Sequence, residues 1–150
     1  MVGRLIRPAE RRDLDALLRI EDAAFPTDRL TRRDFAHALR SVTIDMGVAE
    51  ENGVVTGYFQ VHRRRGSTLG RLATIAVDPG AAGSGIGRAL MEAAEQVAVD
   101  GGCDRLRLEV RADNGRAIGI YARAGYRSIG QEPDYYEDGC AAERFEKVLT

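Results

Sequence analysis

Residues 80–87 form a glycine-rich segment, Gly-Ala-Ala-Gly-Ser-Gly-Ile-Gly, between an apolar stretch that ends at Val77 and a segment with helical spacing. The first amides of a helix have no partner inside it, and the helix dipole places partial positive charge there. Glycines let a ligand approach this backbone closely, so the pattern predicts a site for a phosphate or another anion. The pattern does not identify the anion.

Three other interpretations compete for this segment. A nucleotide-hydrolase loop needs Lys and then Ser or Thr after its last glycine, but Gly85 is followed by Ile86, and Gly87 by Arg88. A dinucleotide-binding fingerprint that starts at Gly83 needs a third glycine where Arg88 stands. A tight turn without a ligand is the remaining alternative.

The segment resembles the acyl-CoA pyrophosphate loop of the GNAT superfamily of N-acetyltransferases. The family pattern, Arg/Gln-x-x-Gly-x-Gly/Ala, falls on residues 82–87, and its first position, Ala82, lacks the polar side chain of the family. The resemblance implies that acetyl-CoA, with CoA as product, binds mainly to backbone amides, more weakly than in the family and without a metal. It assigns cofactor contacts to Ile75, Ala76, Val77, Ala82, Gly83, Ser84, Gly85, Ile86, Gly87 and Arg88.

A second segment strengthens this resemblance. Residues 108–114, Leu-Glu-Val-Arg-Ala-Asp-Asn, are followed by Tyr121 and by Gly125-Tyr126, and they look like the second signature of the same family. In the family, the tyrosine at this place donates to the CoA sulfur, and an asparagine matching Asn114 contacts the pantetheine arm. As plain sequence features, Tyr121 is a buried aromatic residue and Asn114 a helix cap.

Acetyl transfer from a thioester to an amine needs an unprotonated amine, stabilisation of an oxyanion and a proton for the departing thiolate. Tyr121 suits the last task, because proton transfer between a phenol and a thiol is not badly mismatched. Glu109 resembles the glutamate proposed as the general base in the ribosomal-protein-alanine acetyltransferase branch. The alternative is that Glu109 pairs with an arginine such as Arg107 or Arg111. A backbone amide of the strand that ends at Val77 is expected to hold the oxyanion.

The free energy of deprotonation favours an α-amine as the acceptor. At pH 7 it is about 4.6 kcal/mol for a lysine amine and about 1 kcal/mol for an α-amine. Two pairs of residues, Phe25-Pro26 and Tyr135-Tyr136, resemble loops that flank the peptide groove of N-terminal acetyltransferases. A protein N-terminus is therefore the first prediction.

Two alternatives to a protein N-terminus stay open. A small-molecule amine would use an acidic pocket, and four carboxylates are available to build one: Glu21, Asp28, Glu137 and Asp138. A non-catalytic acyl-CoA-binding module is the second alternative. The presence of both Glu109 and Tyr121 argues against it.

The periodicity of the chain predicts the scaffold for these residues. Alternating apolar residues around Asn52-Gly53 predict a hairpin, since this pair favours a type I′ turn. Further strands are predicted at residues 4–7, 69–77, 105–110, 126–129 and 142–148, and helices at residues 8–25, from Thr31, 86–100 and 116–124. The order β-α-α-β-β-β-α-β-α-β-β predicts a single α/β domain over residues 1–150. We expect a GNAT-like fold with a mixed, mostly antiparallel sheet of six to seven strands and about four helices.

The composition of the chain argues against nucleic acid and membranes as partners. The 150 residues carry a formal net charge of −1, which provides no field to attract nucleic acid or an anionic membrane. No apolar run reaches the ~20 residues of a membrane span, and residues 1–12 lack a signal-peptide pattern, so we expect the protein to be cytoplasmic. We expect it to act as a monomer or a homodimer. We expect Cys103 and Cys140 to be reduced thiols, and His37 and His62 to be structural.

Overall fold

The computed structural model describes residues 4–81 and 83–149. Within them the chain forms seven strands and four α-helices, in the predicted order. They are β1 (Arg4–Pro8), α1 (Leu14–Ala24), α2 (Arg32–Arg40), β2 (Ile44–Glu51), β3 (Val54–Arg63), β4 (Leu69–Val77), α3 (Ile86–Asp100), β5 (Arg105–Arg111), α4 (Gly115–Arg123), β6 (Arg127–Glu132) and β7 (Ala142–Val148).

The strands form one mixed sheet in the order β1-β2-β3-β4-β5-β7-β6, which confirms the predicted fold class. The pairing of β4 with β5 is parallel, and the other pairings are antiparallel. This parallel pairing joins only residues 69–71 to residues 105–107. Beyond that point the two strands separate, which opens the sheet at its centre.

Two local backbone features shape the strands β2, β3 and β4. The β2–β3 turn has φ values of 51° at Asn52 and 84° at Gly53, as a type I′ turn requires. The β3–β4 register places Thr74 opposite Gln60 but Leu72 opposite Val61, so the residue between them is bulged. A bulge bends its strand and increases its twist. It lies where β4 leaves β5.

Side chains alternate between the two faces of the sheet and build two cores. The helices α1 and α2 cover one face around Tyr58, and α3 and α4 cover the other around Phe59. A Cβ atom on Gly57 would lie 2.7 Å from Leu90 Cδ1 and 2.9 Å from the Ala76 carbonyl oxygen. The missing side chain therefore lets α3 approach the sheet and sets the position of its N-terminus.

Two element boundaries differ from the predicted ones for identifiable reasons. Helix α1 begins at Leu14, because Pro8 still pairs with β2 and Arg11–Asp13 form a separate 3-10 turn. Strand β6 begins after Tyr126, whose amide donates to the Tyr121 carbonyl oxygen at 3.0 Å. That bond ties Tyr126 to the end of α4.

Candidate active site

The turn before α3 has the backbone geometry of an anion-binding site. Gly83 and Gly85 have φ values of 89° and 82°, in the left-handed region that favours glycine. The amide of Ala89 donates to the Gly85 carbonyl oxygen at 3.1 Å, which is the first bond of the helix. The amides of residues 86–88 consequently have no partner within α3 and are available to a ligand.

Side-chain contacts hold this turn in place. Arg4 of β1 donates from Nη2 to the Ser84 carbonyl oxygen at 2.6 Å. The hydroxyl of Ser84 donates to the Ala81 carbonyl oxygen at 2.8 Å. Ala82, the position that departs from the family pattern, lies outside the described residues. The turn is thus fixed from both sides of that position.

A cavity of about 490 Å³ opens beside the N-terminus of α3 and lies between β4, α3 and α4. We call it the α3–α4 cavity. Its lining contains two cations and no carboxylate among the described residues. The lining residues are Ile75, Ala76, Val77, Gly87, Arg88, Met91, Ala117, Ile120, Tyr121, Arg123 and Ala124. This lining suits a ligand with an anionic end and an apolar arm.

The predicted cofactor residues take part in different ways. Gly87 and Arg88 line the α3–α4 cavity, as do the three residues at the end of β4. Ile86 is only 1% exposed as a whole residue, and its side chain belongs to the core. Any contact of Ile86 with a ligand therefore comes from its backbone amide.

A second cavity, of about 480 Å³, lies on the other side of the opened sheet. We call it the loop cavity, because the α1–α2 loop and the β6–β7 loop wall it together with β4 and β5. Three of the four predicted acceptor residues line it, namely Phe25, Pro26 and Tyr136. The fourth, Tyr135, contacts Glu109 instead, at 3.2 Å.

Tyr121 lies where the two cavities meet, since Ile75, Ala117 and Tyr121 line both. Its ring packs edge-on against Tyr126, with 5.8 Å between the centroids. Burial raises the pKa of Tyr121 to about 12, so the hydroxyl stays protonated at neutral pH. Within residues 4–81 and 83–149, this hydroxyl makes no hydrogen bond and is free to donate to a ligand.

Glu109 lies in the loop cavity between two arginines. Its Oε1 accepts hydrogen bonds from Arg71 Nε at 2.8 Å and from the Tyr135 hydroxyl at 3.2 Å. Arg144, the cross-strand neighbour of Glu109 on β7, has its Nε 3.8 Å from Oε2. That Nε is buried and has no hydrogen-bond partner in the described chain. The side chain of Glu109 is 10% exposed.

Glu109 therefore pairs with an arginine, as the alternative interpretation expected, but the expected arginines, Arg107 and Arg111, were wrong. Arg107 donates to its cross-strand partner Glu146 at 2.6 Å. Arg111 donates to Asp138 at 2.6 Å. Both arginines are held by other carboxylates, and Arg71 from β4 takes the place beside Glu109.

A second carboxylate in the loop cavity, that of Glu21, was expected only as part of an acidic pocket, and its buried, hydrogen-bonded position was not predicted. Glu21 of α1 is 2% exposed, and its Oε2 accepts a hydrogen bond from the Leu30 amide at 2.7 Å. Its Oε1 accepts a hydrogen bond from the buried hydroxyl of Tyr58. Burial raises the pKa of Glu21, although these two bonds oppose the shift. The available signal was its place on the apolar stripe of α1, four residues after Leu17.

The four carboxylates expected to form an acidic pocket come together only in part. Glu21 and Asp28 line the loop cavity with Glu109 as a third carboxylate, whereas Glu137 and Asp138 are not part of its lining. Asp138 is bound to an arginine instead. Two arginines share the lining, so it is not the purely acidic pocket expected for a small polyamine.

Two further polar residues lie in the loop cavity. His62, expected to be structural, is hydrogen-bonded through Nε2 to Gln60 Oε1 at 3.1 Å, and burial lowers its pKa. Asn114 accepts a hydrogen bond from the Ala117 amide at 3.1 Å, so it caps α4 as predicted. Its side chain thereby holds the start of the helix that carries Tyr121.

In residues 4–81 and 83–149, no group of three or more His, Cys, Asp or Glu side chains is arranged to hold a metal ion. No helix in those ranges is long and apolar enough to cross a membrane. Cys103 is buried, Cys140 is partly buried, and both are free thiols.

Comparisons with known proteins give a consistent result. Residues 13–126 match the profile of the Acetyltransferase (GNAT) family. The chain is 35% identical over 136 residues to an uncharacterized N-acetyltransferase of Methanocaldococcus jannaschii, which covers 90% of this chain and 85% of that protein. It is 30% identical over 145 residues to an N-alpha-acetyltransferase of Sulfurisphaera tokodaii, covering 89% and 86%. The crystal structure of the ribosomal-protein-S18-alanine N-acetyltransferase from Escherichia coli is similar with a TM-score of 0.88 at 27% identity, over 99% of this chain and 95% of that one.

Proposed function

Because the chain belongs to the Acetyltransferase (GNAT) family and is an acyltransferase, we propose that it transfers an acetyl group from acetyl-CoA to a protein N-terminal α-amine. One observation carries this proposal. The hydroxyl of Tyr121 lies where the α3–α4 cavity meets the loop cavity, so a donor in one and an acceptor in the other would meet beside it.

The α3–α4 cavity is the proposed donor site. The free amides of residues 86–88 and the guanidinium of Arg88 would hold the diphosphate, because both supply positive charge at the start of α3. Apolar side chains of β4 and α4 would contact the pantetheine arm. Acetyl-CoA bound there supplies the acetyl group as an activated thioester.

Tyr121 and Glu109 are the proposed catalytic residues. Glu109 accepts the proton that the acceptor ammonium must lose, directly or through water. The neutral amine then attacks the thioester carbonyl carbon, and the carbon–sulfur bond breaks. Tyr121 donates its proton to the departing sulfur and regains a proton from the acetylated nitrogen, directly or through water. Glu109 then releases the proton that it accepted to solvent. The products are the N-acetylated amine and CoA.

The loop cavity is the proposed acceptor site. Phe25, Pro26 and Tyr136 provide apolar and aromatic surface for the first residues of a peptide. The lower free energy of deprotonation of an α-amine suits a site with one carboxylate placed as a base. An N-alpha-acetyltransferase and a ribosomal-protein-alanine N-acetyltransferase among the similar proteins support the same acceptor.

A panel of matched acceptors tests this proposal. One peptide carries a free α-amine and no lysine, a second has the same sequence with a blocked α-amine and one lysine, and spermidine represents small amines. Thiol release from acetyl-CoA gives the rate, mass spectrometry locates the acetyl group, and a reaction without acceptor gives the hydrolysis rate. We expect the free α-amine to react at least about 10-fold faster than the lysine peptide. Faster acetylation of the lysine peptide or of spermidine would contradict the proposed acceptor.

Location and assembly stay predictions from the sequence. We expect the protein to act in the cytoplasm as a monomer or a homodimer. The proposed reaction requires an acyl-CoA and an amine acceptor as its partners.

A further inference from the structure

Four residues from three strands and one loop form a charged cluster, and two of them, Arg71 and Glu109, line the loop cavity. The four are Arg71 of β4, Glu109 of β5, Arg144 of β7 and Tyr135 of the β6–β7 loop. We call them the Arg71 cluster. Two guanidinium groups flank one carboxylate, so the cluster carries one excess positive charge.

Other charges near the cluster leave this excess in place. Glu132 lies 3.6 Å from Arg144 Nη1, but both side chains are more than 40% exposed, so water screens their attraction. Glu21 has its pKa raised by burial, and hydrogen bonds occupy both of its oxygens. Asp28, on the opposite loop, accepts a hydrogen bond from the Thr27 hydroxyl at 2.9 Å. The cavity therefore presents cationic and anionic groups on different walls.

Of the two arginines that line the loop cavity in the described chain, Arg71 is the one with a nitrogen that makes no hydrogen bond. Arg111, the other arginine in the lining, is bound to Asp113 and Asp138 through Nε, Nη1 and Nη2. In Arg71, Nε donates to Glu109, and Nη2 donates to Tyr135 and lies 2.8 Å from Glu109 Oε1. Its Nη1 makes no hydrogen bond within the part of the chain that the structure describes.

Arg71 is placed so that its free N–H groups can bind a ligand in the loop cavity. The side chain is 44% exposed and lines the loop cavity. Burial would lower the pKa of Arg71, but the hydrogen bond and the charge of Glu109 raise it overall, so the side chain stays cationic. Glu109 and Tyr135 fix one edge of the planar group. A guanidinium held in this way binds a carboxylate with little further loss of side-chain entropy.

We propose that Arg71 is a specificity-determining residue that binds a carboxylate lying beside the acceptor amine. The inference rests on the proposed acetyl transfer and narrows its acceptor to amines with a neighbouring carboxylate. Two sources supply this chemistry. One is a peptide whose first residues include an acidic side chain, and the other is a free amino acid.

Matched acceptor pairs test this assignment. In the peptide arm, Asp and Asn alternate at the first position of an otherwise identical peptide, and then at the second. In the amino-acid arm, a free amino acid is compared with its amide. The ratio of kcat/KM for the acid to kcat/KM for its amide partner is measured for the wild type, Arg71→Gln, Arg71→Lys and Tyr135→Phe.

The wild type is expected to prefer the acidic acceptor by about 10-fold, as one charge-assisted hydrogen-bonded pair provides. Arg71→Gln should reduce this ratio to about 1, and Arg71→Lys should retain part of it. Tyr135→Phe should lower the ratio less than Arg71→Gln does, because Glu109 still holds the guanidinium after the loss of the Tyr135 hydroxyl. Arg71→Gln can also slow the reaction of every acceptor by displacing Glu109. The ratio stays informative in that case, because it compares two acceptors of the same variant. Selectivity in the peptide arm would identify a protein acceptor, and selectivity in the amino-acid arm a free amino acid.

Three outcomes distinguish a failure of the inference from a failure of the function on which it rests. Thiol release with equal rates for acids and amides in both arms would overturn the role of Arg71 alone. Equal acid-to-amide ratios in the wild type and Arg71→Gln would do the same. The absence of thiol release with every acceptor would overturn the proposed function and this inference together.

Discussion

The two cavities on either side of Tyr121 are built in different ways. The end of the α3–α4 cavity beside the N-terminus of α3 depends on one continuous segment, in which the end of β4, the glycine turn and the start of α3 follow each other along the chain. The loop cavity depends on side chains that meet across the fold, such as Arg71 with Glu109, 38 residues apart, and with Tyr135, 64 residues apart. The first offers mainly backbone groups to a ligand, and the second mainly side chains.

Because of this difference, ligand binding at the two sites responds differently to amino-acid substitutions during evolution. A backbone site keeps its ligand as long as the turn keeps its conformation, so many sequences serve one donor. A side-chain site changes its ligand when one charged residue changes. We therefore expect substitutions near the turn to alter donor affinity, and substitutions near the loop cavity to alter acceptor use.

The largest effect should come from Tyr121→Phe, because Tyr121 borders both cavities. Loss of the proton donor should lower turnover about 10²-fold or more, with little change in the Kd of CoA. Steady-state kinetics and calorimetry measure the two quantities. Tyr126→Phe is the matched control, because its hydroxyl contacts Glu95 outside both cavities. Equal turnover of Tyr121→Phe and the wild type would remove Tyr121 from the reaction.

Glu21→Ala should disturb the loop cavity alone. The substitution leaves the buried Tyr58 hydroxyl and the Leu30 amide without this hydrogen-bond partner. It should therefore lower the free energy of unfolding by about 1–3 kcal/mol. Because Leu30 belongs to the loop that walls the cavity, KM for the acceptor should rise while the Kd of CoA stays constant. Asp22→Ala, at a residue whose side chain is 69% exposed, is the control for denaturation and kinetics. A weaker affinity for CoA in Glu21→Ala would show that the two cavities are coupled.

Gly85→Ala should disturb the α3–α4 cavity alone. The φ of 82° costs a residue with a side chain about 1–2 kcal/mol, so the turn should shift and the Kd of CoA should rise about 5- to 30-fold. KM for the acceptor should stay constant. Gly80→Ala serves as the control in the same loop, since its Cβ would make only an ordinary 3.5 Å contact with Asp78. Equal CoA affinity of the two variants would contradict the importance of the backbone.

The smallest effect concerns pH. Burial raises the pKa of Glu21 above the value of an exposed glutamate, so the folded protein retains this proton to higher pH than the unfolded chain does. The free energy of unfolding should fall as pH rises from the unfolded pKa through the folded pKa. Glu21→Gln should remove this part of the pH dependence. Identical pH profiles of the two proteins in urea denaturation would show that Glu21 does not contribute it.

The same contrast explains what could be predicted from the sequence. The element order and the glycine turn are local features, and the hairpin was visible in Asn52-Gly53, so they were predicted correctly. Glu109 was identified through its motif, but its partners were not. Arg71 and Arg144 reach Glu109 only because β4, β5 and β7 lie side by side in the sheet. Glu21 was visible as a carboxylate on an apolar stripe, yet its bond to Tyr58 depends on how α1 packs on β3.

The central claim is that the start of α3 binds the diphosphate of CoA and directs the thioester toward Tyr121. The most direct test is a titration of the ¹⁵N-labelled protein with CoA, followed by NMR of the backbone amides. We expect saturable shifts at residues 83–88, together with shifts at Ile75 and Ala117. CoA binding that leaves these amides unchanged, or no binding at millimolar CoA, would contradict it.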